Sequence, residues 1–205
     1  MPLHEESRGS LEINELILKN ARQLIEQRGV DKVSMHQIAK ASGIGQGTLY
    51  RRYASIGDIC LNLIEEKLCV IKEDIRRGIE EPSRSTEERI GQVILKWVRF
   101  VEDAMVWIGA LDESCHKLQR MGFEFSESHP YVFIFGTLSQ LLNQAAAANE
   151  IGPCDTCFVV NAFLFLLEPD CYIYLRKSRG YTPDEIADKA YDLYFRPLFK
   201  NVKPS

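Results

Sequence analysis

The run QGTLYRR, residues 46–52, holds side chains that can read a base beside side chains that can grip a phosphate. Gln46 can donate and accept at once, as adenine requires, and Thr48 offers both a hydroxyl and a methyl for thymine. Gly47 between them removes side-chain bulk and lets a groove come close. Tyr50, Arg51 and Arg52 bring a hydroxyl and two cations to the height of a DNA backbone. The chemistry implied is recognition of a duplex rather than catalysis.

Such a helix must be held by its neighbours. Ile13, Leu16, Ile17, Ala21, Leu24 and Ile25 recur at helical spacing, with Gly29 at the expected stop. Ser34 reads as an N-cap answered by Gln37, a reciprocal capping box ahead of Ile38 and Ala39. Gly43 suits the left-handed turn that ends this second helix. The third covers about Gln46 to Arg52, too short to persist without packing, and Ile44 and Leu49 anchor it. Ser55 and Asp58 open a fourth helix that runs to about Arg77, with Ile59, Leu63, Ile64, Leu68, Ile71 and Ile75 on its apolar face. Two short helices around a glycine turn, the second of them polar, describe a helix-turn-helix. Three small helices in an ordinary helical protein are the plainer alternative, and the run GIGQGTLY stands against it.

The 205 residues suit one globular domain, or a small module joined to a larger one, and 45% of them are apolar. The net charge is -4. Residues 1–60 nevertheless carry Arg8, Lys19, Arg22, Arg28, Lys32, Lys40, Arg51 and Arg52 against seven acids, so the acidic excess falls on the remainder. The start, MPLHEESRGS, lacks a signal-peptide pattern. The longest apolar run, Cys157 to Leu167, is broken by Asn161 and falls short of the roughly 20 residues a bilayer needs. A cytoplasmic protein with no membrane partner is expected. The six cysteines are scattered in a chain large enough to need no disulfide staples.

Gly78 and EEPSRSTEE make the clearest break, a hinge or corner. Beyond it nearly everything reads as helix. Ile90, Val93, Ile94, Trp97, Val101, Ala104, Met105 and Ile108 form one stripe, and a shorter helix carries Cys115, Leu118 and Met121. Another helix runs from Ser128 or Pro130 to Asn149. A strongly apolar one extends from Thr156 towards Arg179, with Pro169 expected to kink or split it. Thr182, Pro183 and Glu185 start the last helix, and Pro197 is expected to end it. The fold class is all-α, about nine helices, without a repeat.

The segment from about residue 14 to 66 resembles the N-terminal domain of the tetracycline-repressor (TetR) family of transcriptional regulators. Its residues are Ala21 and Gly29, then Val33, Ile38–Ala39, Ala41–Gly43, Gly47–Tyr50 and Tyr53, then Ser55 and Leu61–Ile64. About a quarter of the chain matches well. Two positions depart from the family: Gly45 stands where a side chain commonly caps the recognition helix, and Ile56 where a lysine commonly meets a phosphate. Backbone N–H groups at the start of the fourth helix remain available to a phosphate on this view. With the resemblance, the residues expected at DNA are Ser34, His36, Gln46, Gly47, Thr48, Tyr50, Arg51, Arg52, Tyr53 and Ser55.

The resemblance implies a head at residues 10–54, a connecting helix at 55–77, and a ligand-binding and dimerisation body at 78–205. It implies a ligand-responsive regulator, a repressor in most such systems, that binds a palindromic double-stranded operator as a homodimer. The last two helices, about 156–178 and 183–197, would pair with their copies, and Phe158, Phe165, Leu166, Tyr172, Leu175, Leu193, Tyr194 and Leu198 supply the apolar surface. A small apolar or amphipathic effector is expected among Trp97, Phe100, Val101, Met105, Trp107, Phe123, Phe125, Tyr131, Phe135 and Phe163, although any one of these also suits plain core packing. Glu102, Asp103 and Asp112 would favour a cation if they turn inward. Cys154 and Cys157 form a CxxC, which keeps a redox-sensing regulator open as an alternative, beside a helical protein-interaction adaptor. No cofactor or metal is expected. With no Gly-rich phosphate loop, HExxH or GxSxG, and with His4, His36, His116 and His129 scattered, an enzyme is not.

Overall fold

The computed structural model describes residues 3–108 and 129–200, and every regular element among them is helical. There are nine helices in this part of the chain. Helix α1 spans Leu3–Arg28 and stops at Gly29, whose φ of 82° is the left-handed conformation that glycine tolerates. A 3-10 turn at Val30–Lys32 leads to α2, Met35–Ala41, and then α3, Gln46–Tyr50. The third helix is two residues shorter than its sequence suggests. Then come α4 (Ile56–Ile79), α5 (Thr86–Ile108), α6 (His129–Ala147) and α7 (Thr156–Leu166). Helix α8 is Pro169–Ile173 continued by a π-helical turn, Tyr174–Ser178. Helix α9 is Pro183–Ala190, a second π turn at Tyr191–Phe195, then Arg196–Lys200. The short helix expected around Cys115, Leu118 and Met121 lies outside the described residues.

Helix starts are written locally. Ser34 with Gln37, Ser55 with Asp58, Ser85 with Glu88 and Thr182 with Glu185 all exchange bonds between side chain and backbone. The end of α2 is equally local. Gly43 has φ 65°, its N–H reaches the Lys40 carbonyl, and the Ile44 N–H reaches that of Ala39, a Schellman motif.

Pro169 splits the apolar stretch as its ring chemistry demands, and the helices on either side are bent by 56°. Pro197 does not end α9. The π turn just before it shifts the register, with the Arg196 N–H bonding to the Tyr191 carbonyl. A wider turn relieves the clash of the proline ring with the preceding turn. No single described helix is long and apolar enough to cross a membrane, although the bent pair Thr156–Leu166 and Pro169–Ser178 passes on length and composition.

Contacts divide the chain into two units. The first takes in the chain through Lys67 and the described residues from Ala104 to Ile108. The second holds Leu68–Asp103 and the described residues from His129 onward. The first unit's core gathers Ile17, Ala21 and Ile25 of α1, Ile38 and Ala39 of α2, Leu49 of α3, and Ile59, Cys60 and Leu63 of α4. Burial pushes the Cys60 thiol up to about 11, so it acts as a small hydrophobe. Trp107 joins this core from α5, 1% exposed, with the Lys67 ammonium 4.8 Å from its ring centroid. Its indole Nε1 is buried and has no hydrogen-bond partner among the described residues.

In the second unit, Ile90, Ile94 and Val98 of α5, Ile134 and Leu138 of α6, and Val160 and Phe163 of α7 are buried. Phe163 meets Phe195 edge-on at 5.5 Å. Glu102 of α5 receives a bidentate grip from Arg176 at 2.7 and 2.8 Å and the Tyr172 hydroxyl at 2.8 Å. Arg176 also donates to the carbonyl of Tyr181. Glu102 is therefore committed to protein partners and unavailable to a cationic ligand.

Donation from Arg176, then from Tyr172, holds the Glu102 carboxyl below the usual carboxylate range. Because the folded pKa is the lower one, the stabilisation is complete above the unfolded value of about 4.3 and lost as pH falls through the folded one. Glu102→Gln is expected to lower unfolding free energy by about 1–3 kcal/mol at neutral pH. In urea titrations the difference from wild type should shrink towards zero as pH falls below that range. A difference that persists unchanged in acid would mean that the charge on Glu102 contributes nothing.

Candidate nucleic-acid interface

Helix α3 faces inward through Leu49, which is fully buried, while half-buried Ile44 packs against the same core. On the other side Gln46, Gly47, Tyr50 and Arg51 are exposed, and Thr48 is half-buried. The cap residue Gly45 contributes no side-chain hydrogen bond, so α3 depends on its anchors rather than on its own start.

His36 of α2 is exposed, and its Nδ1 lies 2.6 Å from Nε2 of Gln46. With its proton on Nε2, the ring accepts one amide hydrogen of Gln46 through Nδ1. That leaves the other amide hydrogen and the carbonyl oxygen for a base edge. Arg51 reaches back to the Thr48 hydroxyl at 3.4 Å.

Several residues expected at DNA are otherwise engaged. Tyr53 is buried in the head core, and burial followed by the charge of Glu66 raises its phenol pKa. It is a core aromatic, since a ring anchoring the chain after α3 has no face left for solvent. Arg52 is half-buried and donates to Asn14 of α1 at 2.8 Å. The hydroxyls of Ser34 and Ser55 accept from the amides of Gln37 and Asp58, at 3.4 and 3.2 Å. The start of α4 differs most from expectation. Oδ2 of Asp58 takes the amides of Ala54 and Ser55 at 2.9 and 3.0 Å. A phosphate there would meet a carboxylate already holding those donors. Neither Asp58's hold on two amides nor Asn14's on Arg52 is visible in the sequence beyond the capping-box spacing itself.

The residues expected to hold an effector are dispersed. Trp97 and Phe100 are buried against each other at 4.9 Å, with Val101 and Met105 half-buried on the same helix. Tyr131 stacks on Phe135 at 5.9 Å and donates to Asn161. Phe163 belongs to the second unit's core and Trp107 to the first unit's. Phe123, Phe125 and Asp112 lie outside the described residues. A cleft of about 630 Å³ in the second unit is lined instead from α4, α5 and α6, with Phe133 its aromatic. Phe133 escaped sequence reading, though it begins a face of α6 continued at i+3, i+4, i+7, i+8 and i+11.

Along the last helices, Phe158 (71% exposed), Phe165 (60%) and Leu193 (68%) stand open to solvent. Leu166, Leu175, Tyr194 and Leu198 are half-buried. Tyr172 is the exception. It is fully buried beneath its bond to Glu102 and offers nothing to a partner. Of the CxxC pair, Cys157 is exposed and accepts from Asn161 Nδ2 at 3.3 Å. The Cys154 thiol is pushed up by burial and then by the neighbouring Asp155, opposite to the low-pKa thiolate of a redox sensor.

Residues 17–62 match the family described as bacterial regulatory proteins, tetR family. A helix-turn-helix-type transcriptional regulator of Staphylococcus aureus, SAR0097, is 26% identical over 192 residues, spanning 92% of this chain and 96% of its own length. A transcriptional regulator from Saccharomonospora viridis, solved with choline, superposes with a TM-score of 0.67 at 18% identity, covering 91% of this chain and 97% of its own. The regulator FadR from Bacillus subtilis, solved with stearoyl-CoA, gives 0.57 at 17% identity, with 89% and 97% covered.

Proposed function

From the membership of residues 17–62 in the tetR family of bacterial regulatory proteins, we propose that this chain is a repressor that binds a palindromic operator as a homodimer and leaves it when a small effector binds. The chain is a DNA-binding transcriptional regulator and not an enzyme, in keeping with its relatives and its fold. In this reading residues 10–54 read DNA, 55–77 connect, and 78–205 carry dimerisation and effector binding, in the cytoplasm.

The observation that carries the reading is the outer face of α3. Gln46, Gly47, Tyr50 and Arg51 are exposed side by side while Leu49 fixes the helix from behind, and His36 steadies Gln46. Five residues of helix span few base pairs, so useful specificity calls for two copies on a two-fold symmetric site. Exposed Phe158, Phe165 and Leu193 support a self-association surface on α7 and α9. That regulators of similar fold were solved with stearoyl-CoA and with choline supports a small-molecule effector here.

Footprinting on the DNA upstream of the chain's own gene tests the proposal. The expected result is a protected two-fold symmetric site whose half-sites lie about one helical turn, or a multiple of it, apart. Absence of protection even at low salt would overturn it.

A further inference from the structure

We infer that the cleft between α4, α5 and α6 binds an oxyanion, a carboxylate or phosphate, carried on a compact apolar body. The inference rests on the effector-binding reading above and gives that effector its charge.

Two arginines line the cleft, Arg76 from α4 and Arg89 from α5. Neither has a carboxylate within salt-bridge distance among the described residues, whereas neighbouring cations of the same unit are paired, Lys96 with Asp74 and Arg77 with Glu73. Arg89 spends one nitrogen on the Glu81 carbonyl at 3.0 Å, while its Nε is buried without a partner. That Nε is shut off from solvent, so the nitrogen an incoming oxyanion could meet is Nη1, which has no partner among the described residues. Glu80 on the rim opposes an anion, but it is one acid against two arginines, with Lys72 adjacent. Gln140 and Gln144 add neutral donors along α6.

Charge also decides against a cation. The one aromatic of the cleft among the described residues, Phe133, has the Lys72 ammonium 5.4 Å and the Arg76 guanidinium 5.9 Å from its ring centroid. Those cations occupy the attraction that a quaternary ammonium would need from the ring.

Gly136 supplies the second, independent observation. It lies inside α6, where glycine weakens a helix relative to alanine, and it lines the cleft. A Cβ placed there would meet nothing within 4 Å among the described residues, so no packing among them calls for glycine. The space it keeps open is the cleft itself, and the volume is ample for a ring-sized ligand.

Isothermal titration calorimetry of the full chain without DNA tests this, using four probes that share one ring system: 1-naphthoate, 1-naphthyl phosphate, 1-naphthyltrimethylammonium and 1-naphthalenemethanol. At least one of the two anions should bind, more tightly than the cation and the alcohol, and which of them is tighter separates carboxylate from phosphate. Arg89→Gln should weaken it at least tenfold. Gly136→Leu should block it by bulk alone, with its thermal midpoint at or above wild type to show that the helix is intact. No binding of either anion, tighter binding of the cation, or anion binding indifferent to both substitutions would overturn the proposal. Because the readout contains no DNA, a failure to find an operator leaves it unaffected. A bound anion that fails to release the operator instead counts against the effector reading.

Discussion

Gly47→Leu is expected to leave the chain folded and to remove sequence-specific DNA binding. At Gly47 a Cβ would meet nothing within 4 Å, and the residue sits inside α3 with an ordinary helical φ. Leucine restores helix propensity, so the stability of the free chain should hold or rise by up to about 1 kcal/mol. The side chain then projects beside Gln46 from the face proposed to approach base edges. The expected loss of operator affinity is at least about 100-fold, or about 2.8 kcal/mol. Mobility shifts measure the affinity and urea unfolding measures the fold. Wild-type binding by this variant would remove the first turn of α3 from the DNA face.

Trp107→Ala should destabilise the first unit although position 107 lies far along the chain. The side chain is 1% exposed and belongs to the core formed by α1, α2, α3 and α4. Truncating a buried tryptophan leaves a large cavity and is expected to lower stability by about 3–5 kcal/mol. The loss should appear in amide exchange as early opening of α1–α4, with α6–α9 protected longer. Trp107→Phe should recover much of it, because a ring remains and the unpartnered indole N–H goes. Exchange that opens α6–α9 first would place Trp107 in the other unit's stability.

What was legible in the sequence was what is decided locally. The boxes at Ser34, Ser55 and Thr182 and the left-handed Gly43 each depend on residues within a few positions, and each forms as its spacing indicates. Periodicity likewise places Leu49 inward and leaves Gln46 and Gly47 out. Contacts between distant residues were not legible. Nothing near Tyr53 says that its ring faces the core, nothing near Arg52 points to Asn14, and Glu102 finds Arg176 seventy-four positions away. Aromatic composition misled for the same reason. Trp107, Phe163 and Phe133 look alike in sequence, yet they lie in one unit's core, the other unit's core and the cleft wall. Pro197 failed as a helix stop because a π turn changes the register just ahead of it, and no residue type marks such a turn.

The hold of Asp58 on the amides of Ala54 and Ser55 bears on how the protein travels as well as on where it stops. Each phosphate that a protein neutralises frees condensed counterions, and that release drives affinity for any DNA, whatever its sequence. Around α3, Arg52 is held by Asn14, Arg51 leans on Thr48, Ile56 adds no charge, and Asp58 adds a negative one. Arg51 and Arg52 keep their charge, since Thr48 and Asn14 are neutral, but with Ile56 and Asp58 at the start of α4 the phosphate contacts beside α3 should be few and retention on random DNA correspondingly weak. On the dimeric reading proposed above, occupancy of a site would then depend on base-edge contacts and on the pairing of two heads. Under the effector-responsive reading proposed above, the search would run mostly off DNA, where an effector could reach the chain first.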